Sequence, residues 1–84
     1  MELIHEENRI YAEDQAGRII AEIDFPSEDG VYYITHTFVD ESLRGQGIAS
    51  LLVQEAVSDI EKHGGKVQAV CSYAKRWLEK RQQG

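Results

Sequence analysis

The chain has 84 residues, 42% of them hydrophobic, and a formal net charge of −6. This length suits one domain with a small core, and the acidic balance argues against nucleic acid as a partner. One cysteine excludes an internal disulfide, the N-terminus does not resemble a signal peptide, and no apolar run approaches the roughly 20 residues of a membrane-crossing helix. We therefore expect a single cytoplasmic domain over residues 1–84, without a membrane partner and with its oligomeric state open.

The charges are unevenly distributed along the chain. Residues 1–42 carry 11 acidic and 2 basic side chains, a balance of −9, whereas residues 43–84 carry 4 acidic and 7 basic ones, a balance of +3. The acidic half can attract a cationic acceptor such as an amine. Ordinary solvated surface charge explains the same distribution, so both interpretations stay open at this point.

Three β-prone segments come first. Residues 8–14 and 18–25 flank a short turn that contains glycine, and apolar residues occupy every second position from 19 to 25. This alternation on both sides of a turn predicts a β-hairpin. Residues 26–30 form a second turn, and residues 31–39 are the most β-prone stretch of the chain. They predict a third strand, antiparallel to the second.

A polar turn and the segment Arg44-Gly45-Gln46-Gly47 follow and lead directly into a predicted helix. The first N–H groups of such a helix lack partners and carry the positive end of its dipole, which makes an anion site. Gly45 and Gly47 allow backbone conformations and close approaches that a Cβ would forbid, and Arg44 adds a guanidinium suited to phosphate. The residues predict a pocket for a phosphorylated ligand; an ordinary strand–turn–helix junction is the alternative.

Helical periodicity then replaces β-alternation over residues 48–62. The apolar positions form two adjoining ridges, which are Ile48, Leu52, Ala56 and Ile60, and Ala49, Val53 and Val57, with Leu51 beside them. Residues 63–65 end the helix, and residues 66–71 predict a fourth strand, parallel to the third because a crossover helix joins them. Residues 73–82 predict a short terminal helix with Ser72 as its N-cap. The fold class is α+β, with a mixed four-stranded sheet, a crossover helix and a short C-terminal helix.

The segment after the third strand resembles a known signature. Arg44, Gly47 and Ala49 match the Arg/Gln-x-x-Gly-x-Gly/Ala loop of the GNAT acetyltransferase superfamily, and Gly45 and Gln46 suit it. The resemblance implies that this loop, including Ile48, holds the pyrophosphate of acetyl-coenzyme A (acetyl-CoA) as co-substrate. It covers residues 8–82 and implies a truncated GNAT-like fold. The helices that usually follow the first strand of the superfamily, and its C-terminal hairpin, have no counterpart in the sequence.

Two further motifs resemble those of a small, divergent GNAT-like subgroup. They are the pair His36-Thr37 and the segment Cys71-Ser72-Tyr73-Ala74. In the superfamily the two parallel strands separate beyond the phosphate loop, and the pantetheine arm lies in the gap. The resemblance therefore implies an arm that runs beside Thr37, Phe38 and Val39, with residues 66–71 opposite and Tyr73 nearby. The acyl thioester would then lie near Cys71.

Cys71 is a candidate catalytic residue for this reason. A thiol just before a helix N-terminus has its anionic form favoured by the dipole. Thiolates attack thioesters readily, so an intermediate with acetylated Cys71 is chemically accessible. The alternative is a small buried hydrophobic residue, because free cysteine is among the most buried residue types.

His36 is the candidate base, since histidine exchanges protons near neutral pH. Strand alternation places it with Ile34 and Phe38, where a hydrogen-bonded core residue is the alternative. The superfamily commonly uses a tyrosine to protonate the departing thiolate, and Leu78 stands at that position here. Tyr73 can supply this proton, or it can pack against or cap the helix.

The sequence thus predicts an N-acetyltransferase that uses acetyl-CoA and transfers its acetyl group to an unidentified amine or protein acceptor. Transfer is either direct, with His36 as base, or passes through Cys71. A non-catalytic acyl-CoA binding or sensing module is the alternative, and a loop that holds another nucleotide is a weaker one. No metal site is predicted, because the single cysteine and three dispersed histidines lack ligand spacing.

Overall fold

The predicted hairpin, crossover helix and terminal helix all occur in the computed structural model, which describes residues 1–83 and the side chains of residues 1–81. The strands are β1 (Ile4–His5), β2 (Arg9–Glu13), β3 (Ile19–Asp24), β4 (Ser27–Glu28), β5 (Val31–Ile34), β6 (His36–Val39) and β7 (Lys66–Ala69). The helices are α1 (Ile48–Lys62) and α2 (Ser72–Gln83), and a single 3₁₀ turn, Glu41–Leu43, precedes α1. Neither helix is long and apolar enough to cross a membrane, within the residues described.

The strands form two hydrogen-bonded sheets. Four antiparallel strands lie in the order β1-β2-β3-β6, and three strands lie in the order β4-β5-β7. The predicted hairpin is β2 and β3, with a bulge between Ala12 and Glu13. The predicted parallel pair is also confirmed, because β5 and β7 pair in register from Val31 opposite Lys66 to Ile34 opposite Ala69.

The predicted third strand, residues 31–39, is divided at Thr35. Its first half, β5, pairs with β4 and β7, whereas its second half, β6, pairs with β3. The Thr35 N–H donates to the carbonyl oxygen of Asp24 at 3.1 Å, which marks the change of partner. Ile34 is buried, but Thr35 and His36 are both exposed, so the alternation of side chains shifts here. Two sheets therefore replace the single four-stranded sheet that the sequence predicted.

The crossover helix buries the ridges that its periodicity predicts. Leu52, Val53, Ala56, Val57 and Ile60 are buried, whereas Leu51 remains 37% exposed. The helix ends in a Schellman motif, in which the Gly65 N–H donates to the carbonyl of Ile60 and the Gly64 N–H to that of Glu61, each at 3.0 Å. Gly64 has the positive φ of 72° that this ending requires.

Both helices pack against the same side of the strands. The helix face of the antiparallel sheet carries buried residues that alternate along its central strands, namely Ile10, Ala12, Ala21 and Ile23. The residues between them point away from the helices, and Tyr11, Glu22 and Phe38 form one cross-strand row on this open face. α2 adds Ala74 to the core. The domain thus has a single apolar core, on the helix face only.

The start of α2 differs from the prediction by one residue. The Lys75 N–H donates to the carbonyl oxygen of Cys71 at 3.1 Å, so Cys71 accepts the first hydrogen bond of the helix. By definition this makes Cys71 the N-cap residue and Ser72 the first helical residue. The prediction that Ser72 is the N-cap is therefore wrong. The N-cap is Cys71, and its thiol lies directly at the helix N-terminus.

Candidate active site

The predicted anion loop has the geometry of a helix N-terminus without a side-chain cap. Gly47 is the N-cap of α1, with a φ of 73°, and no side chain hydrogen-bonds to it as a cap. Gly45 also has a positive φ, of 80°. A Cβ added at either glycine would meet no atom of the protein within 4 Å. The backbone angle therefore requires glycine here, and the space beside the loop is open.

The turn before this loop is held by a local network. Asp40 accepts hydrogen bonds from the hydroxyl and the backbone N–H of Ser42, at 2.7 and 3.1 Å. Both bonds lower the pKa of the Asp40 carboxyl, and the bond from the Ser42 hydroxyl has the larger effect. Arg44 lies 3.8 Å from Glu41, and both side chains are largely exposed. An exposed pair at this distance is weak, so the Arg44 guanidinium stays accessible for an anion.

The gap between strands, which the resemblance implies, is present and starts at Ile34. The Val70 and Cys71 N–H groups both donate to the Ile34 carbonyl, at 2.8 and 3.1 Å, and the chain then turns into α2. β6 continues in another direction, paired with β3 along one edge only. No strand pairs with its other edge, in the part of the chain that the structure describes. The free edge extends over residues 36–39 and is shorter than the predicted third strand.

Cys71 lies where the two strands separate. Its Sγ is 3.6 Å from Oγ1 of Thr37, within hydrogen-bond distance for sulfur, and the thiol is half-buried. Thr37 and Val39 are half-buried and lie on the helix face of β6, because they pair with Ile23 and Ala21 of that face. The structure therefore brings together Thr37 and Cys71, one residue from each of the two sequence motifs. Their roles in catalysis and cofactor binding stay predictions.

His36 lies on the other side of β6. It is exposed and pairs in register with Asp24 on the open face, together with Phe38, which is 39% exposed. The prediction that His36 and Ile34 share a face of the strand is wrong, because the break at Thr35 shifts the alternation of side chains. His36 is therefore not a core residue. It also lies across the strand from Cys71, so the structure does not bring the two predicted catalytic side chains together.

Two carboxylates beside His36 were missed as candidate site residues. Glu22 and Asp24 lie on the open face of β3, opposite Phe38 and His36. The pKa of Glu22 is raised, mainly by burial and to a smaller extent by a hydrogen bond with Asp24 and by repulsion from its charge. The guanidinium of Arg9, 3.7 Å from the Glu22 carboxylate, acts in the opposite direction. The sequence shows these residues only as the polar positions of an alternating strand. The hairpin register, combined with the break at Thr35, is the signal that groups them with His36.

The remaining predicted site residue, Tyr73, is 40% exposed and lies in a groove between α1 and α2. Leu78, at the position of the family's usual tyrosine, is half-buried and packs against the core. Trp77 also packs against the core, and its indole N–H donates to Oγ of Ser50 at 2.9 Å. Among the described residues, no group of His, Cys, Asp or Glu side chains could hold a metal ion.

Comparison with known proteins assigns the class. A family model of GCN5-related N-acetyltransferases matches residues 9–83, nearly the whole chain. The chain therefore belongs to the GCN5-related N-acetyltransferase (GNAT) superfamily, as its motifs predict. No curated protein matches it.

Solved structures show the same fold. A GCN5-like protein from Staphylococcus aureus is 32% identical, with a TM-score of 0.78; the match covers 98% of this chain and 81% of that one. An acetyltransferase from Bacillus cereus is 22% identical, with a TM-score of 0.71, over 92% of this chain and 56% of its own. A GNAT family N-acetyltransferase from Escherichia coli in complex with CoA is 26% identical, with a TM-score of 0.66; the match covers 82% of this chain and 43% of that one. The predicted α+β GNAT-like fold is confirmed, and the chain spans about half the length of the latter two proteins.

Proposed function

We propose that this chain is an N-acetyltransferase that binds acetyl-CoA and transfers its acetyl group to an amine, which is either a small molecule or a group on a protein. Membership of the superfamily and the similarity to a CoA complex support this proposal. The single observation that carries it is the free edge of β6, which opens beside the end of β7 and leads from the anion loop to Cys71.

The residues fit the cofactor along its length. The uncapped N–H groups at the start of α1 are donors for the pyrophosphate, with Arg44 as an added charge. The amides of the pantetheine arm match the unpaired backbone groups of Thr37 and Val39, as an added strand would, and Phe38 lies between them with its own backbone paired to Glu22 of β3. Gly45, Gln46 and Gly47 form the loop between these two parts, and Ile48 and Ala49 are the first residues of α1. Open space beside the glycines agrees with this assignment.

The position of Cys71 supports a covalent route. Its thiolate, at the α2 N-terminus, attacks the carbonyl carbon of the thioester; a new carbon–sulfur bond forms and the bond to the CoA sulfur breaks. The CoA thiolate leaves and takes up a proton. The amine then attacks the acetyl carbonyl carbon on Cys71; the new carbon–nitrogen bond forms, the carbon–sulfur bond breaks, the amine loses a proton to solvent, and the amide and the Cys71 thiolate are released. Thr37, at 3.6 Å, hydrogen-bonds and orients the sulfur.

The direct route uses the other face of β6. An amine that approaches from the open face attacks the thioester carbon itself, and its proton passes to His36, while the CoA thiolate leaves and is protonated. Glu22 and Asp24 beside His36 favour a cationic amine on this side. Tyr73, exposed near the N-terminus of α2, is the candidate donor of the proton to the thiolate.

An NMR titration with acetyl-CoA tests the proposal. We expect amide shifts in residues 44–49, 36–39 and 70–72, and small shifts in the turn of residues 28–30, at the start of β5 and away from the loop. Release of free CoA in the presence of an amine would show transfer. Saturating acetyl-CoA that leaves the loop and the β6 edge unmoved would contradict the proposed site.

A Cys71→Ala variant separates the two routes. On the covalent route, the variant keeps its CoA affinity and loses turnover, and the wild-type mass increases by one acetyl group after incubation with acetyl-CoA. On the direct route, the variant retains turnover and a His36→Gln variant loses it. Cys71→Ser serves as a near-isosteric control for packing against Thr37.

One observation favours a second candidate, a non-catalytic acyl-CoA binding module. Leu78 occupies the position of the superfamily's usual proton donor, and it is packed against the core. A module of this kind would show the same amide shifts without acetylated Cys71 and without release of free CoA in the presence of amines. The mass and CoA-release measurements therefore distinguish the two functions.

A further inference from the structure

The open face of the antiparallel sheet is left uncovered by the part of the chain that the structure describes. Both helices contribute their buried residues to the core on the opposite face. A cavity of about 780 Å³ lies between the helices and a smaller one of about 460 Å³ lies beside β7, and neither contains a residue of this sheet. Small-molecule sites are concave, so a flat open face is better suited to the surface of another macromolecule.

The open face combines aromatic and acidic side chains in two rows that run across the strands. The first row is apolar around one carboxylate, and its members are Ile4, Tyr11, Glu22 and Phe38. The second row is polar, and its members are Arg9, Asp24 and His36. Four strands about 4.8 Å apart, with five residues along β2, give a face of roughly 14 by 17 Å. A face of this size fits a short segment of a partner in a transient contact.

The negative charge of this face is only partly balanced. Arg9 pairs with Glu6 at 2.9 Å and lies 4.0 Å from the centre of the Tyr11 ring, whereas its distance to Glu22 is 3.7 Å. Asp24 has no ion-pair partner among the described side chains. All four strands of the sheet also lie within residues 1–42, whose charge balance is −9. The face is therefore complementary to a cationic partner.

We propose that the open face docks a lysine-rich segment of a protein, and that a lysine of this segment is the acetyl acceptor. The inference rests on the proposed function, because it takes the thioester to lie near Cys71. Lysine packs its aliphatic stem on aromatic rings while its ammonium group approaches a carboxylate, and the row of Tyr11, Glu22 and Phe38 offers both. The long stem also carries the ammonium past the edge of β6 toward the thioester on its other side.

An NMR titration with a synthetic octalysine peptide tests the docking surface. The amides of residues 9–13, 20–24 and 36–38 should shift, and those of residues 64–69 should not. The small amine 1,5-diaminopentane should bind at least tenfold more weakly, because it cannot make several contacts on the face at once. If this diamine binds as tightly as octalysine, the face does not select a protein segment and the inference is wrong.

A pair of double variants separates specific docking from attraction by net charge. Glu22→Gln, Asp24→Asn should bind octalysine about tenfold more weakly, since two charge contacts are lost. Glu28→Gln, Asp29→Asn is the matched control, because these exposed carboxylates belong to the other sheet and to the turn after it, and their removal changes the net charge equally. This control should keep its affinity within about twofold. Equal losses in the two double variants would overturn the inference.

Acetyl transfer provides a second readout. The KM for octalysine should rise about tenfold in Glu22→Gln, Asp24→Asn, while the loop amides still shift with acetyl-CoA. If octalysine leaves the open face unmoved, or docks there without being acetylated while 1,5-diaminopentane is acetylated, the inference is wrong and the proposed function stands. If acetyl-CoA moves no loop amide, the proposed function itself is wrong.

Discussion

Gly47 meets two demands with one residue. Its φ of 73° lets the chain enter α1, and the missing side chain leaves the helix N-terminus open to an anion. Gly30, in a remote turn, has a comparable φ of 80° and equally open surroundings. The two glycines therefore share a backbone requirement and differ only in their distance from the proposed phosphate site.

We predict that Gly47→Ala and Gly30→Ala each lower the free energy of unfolding by about 1–2 kcal/mol, the usual penalty for a left-handed residue with a Cβ. Only Gly47→Ala should also weaken CoA binding, by about tenfold, because the methyl group occupies the space beside the loop. Urea denaturation and calorimetry measure the two effects. Equal loss of CoA affinity in both variants would show that Gly47 acts through stability alone.

Glu22 has an unfavourable charge in the folded state. Burial and the neighbouring Asp24 raise its pKa above the ordinary value of 4.5, so above that pH the folded chain binds more protons at this site than the unfolded chain does. By linkage, the contribution of Glu22 to stability falls as the pH rises from 4.5 through the raised pKa. We predict that Glu22→Gln becomes more stable relative to wild type between about pH 4 and pH 7.

Urea denaturation at both pH values measures this difference. Glu7→Gln, an exposed position, is the control for the removal of one negative charge. A relative stability that falls or stays constant with pH would contradict the pKa direction assigned to Glu22. The Arg9 ion pair forms only when Glu22 is ionised, so it acts over the same pH range, and the net rise in the pKa of Glu22 already includes its opposing effect.

At the level of elements, the sequence was a good guide wherever one periodicity held throughout. The alternation of β3, the ridges of α1 and the glycines after α1 all appear at the predicted places. The break at Thr35 could not be predicted, because the residues on both sides of it are equally β-prone and only the choice between two partner strands creates it. This one residue decides on which face His36 lies. The resemblance implied that residues 66–71 lie opposite Thr37, whereas the contact of Thr37 with Cys71 and the grouping of Glu22 and Asp24 with His36 required the observed structure.

The end of α1 offers a matched pair of glycine substitutions. A Cβ on Gly65 would lie 2.5 and 2.7 Å from two ring carbons of Tyr32, whereas Gly64 has open space and a φ of 72°. We predict that Gly65→Ala destabilises by about 1–3 kcal/mol through this clash. Gly64→Ala should destabilise by about 1–2 kcal/mol through its backbone angle.

A double-mutant cycle with Tyr32→Ala distinguishes these causes in urea denaturation. Removal of the ring should reduce the penalty of Gly65→Ala and leave that of Gly64→Ala unchanged. If the effects of Gly65→Ala and Tyr32→Ala on stability are additive, the Tyr32 ring does not cause the penalty, because it moves aside at no cost in the free energy of unfolding. The ring also packs on Phe25, with centroids 6.4 Å apart, so such a movement would disturb a second aromatic residue.

The molecule as a whole depends on one apolar layer between the strands and the two helices. A chain of 84 residues typically has a free energy of unfolding of about 4–13 kcal/mol. Loss of one large side chain from the layer therefore removes a substantial share of the total. The open face of the sheet carries charged and aromatic side chains and adds no second core.

We predict that Leu52→Ala lowers the free energy of unfolding by about 2–5 kcal/mol, since this side chain is fully buried. Leu51→Ala, one position earlier and 37% exposed, is the matched control and should have a much smaller effect. Thermal and urea denaturation measure both variants. Similar losses at the two positions would contradict the one-sided core.

The bare edge of β6 has a consequence for the solution behaviour of the protein. An unpaired edge accepts any extended backbone, so it is also a nucleation point for self-association. The segment has four residues, which limits it to about 13 Å and a few hydrogen bonds, and Asp40 and Glu41 follow it directly. Occupation by an extended ligand and annealing to another chain are mutually exclusive, because both use the same amides.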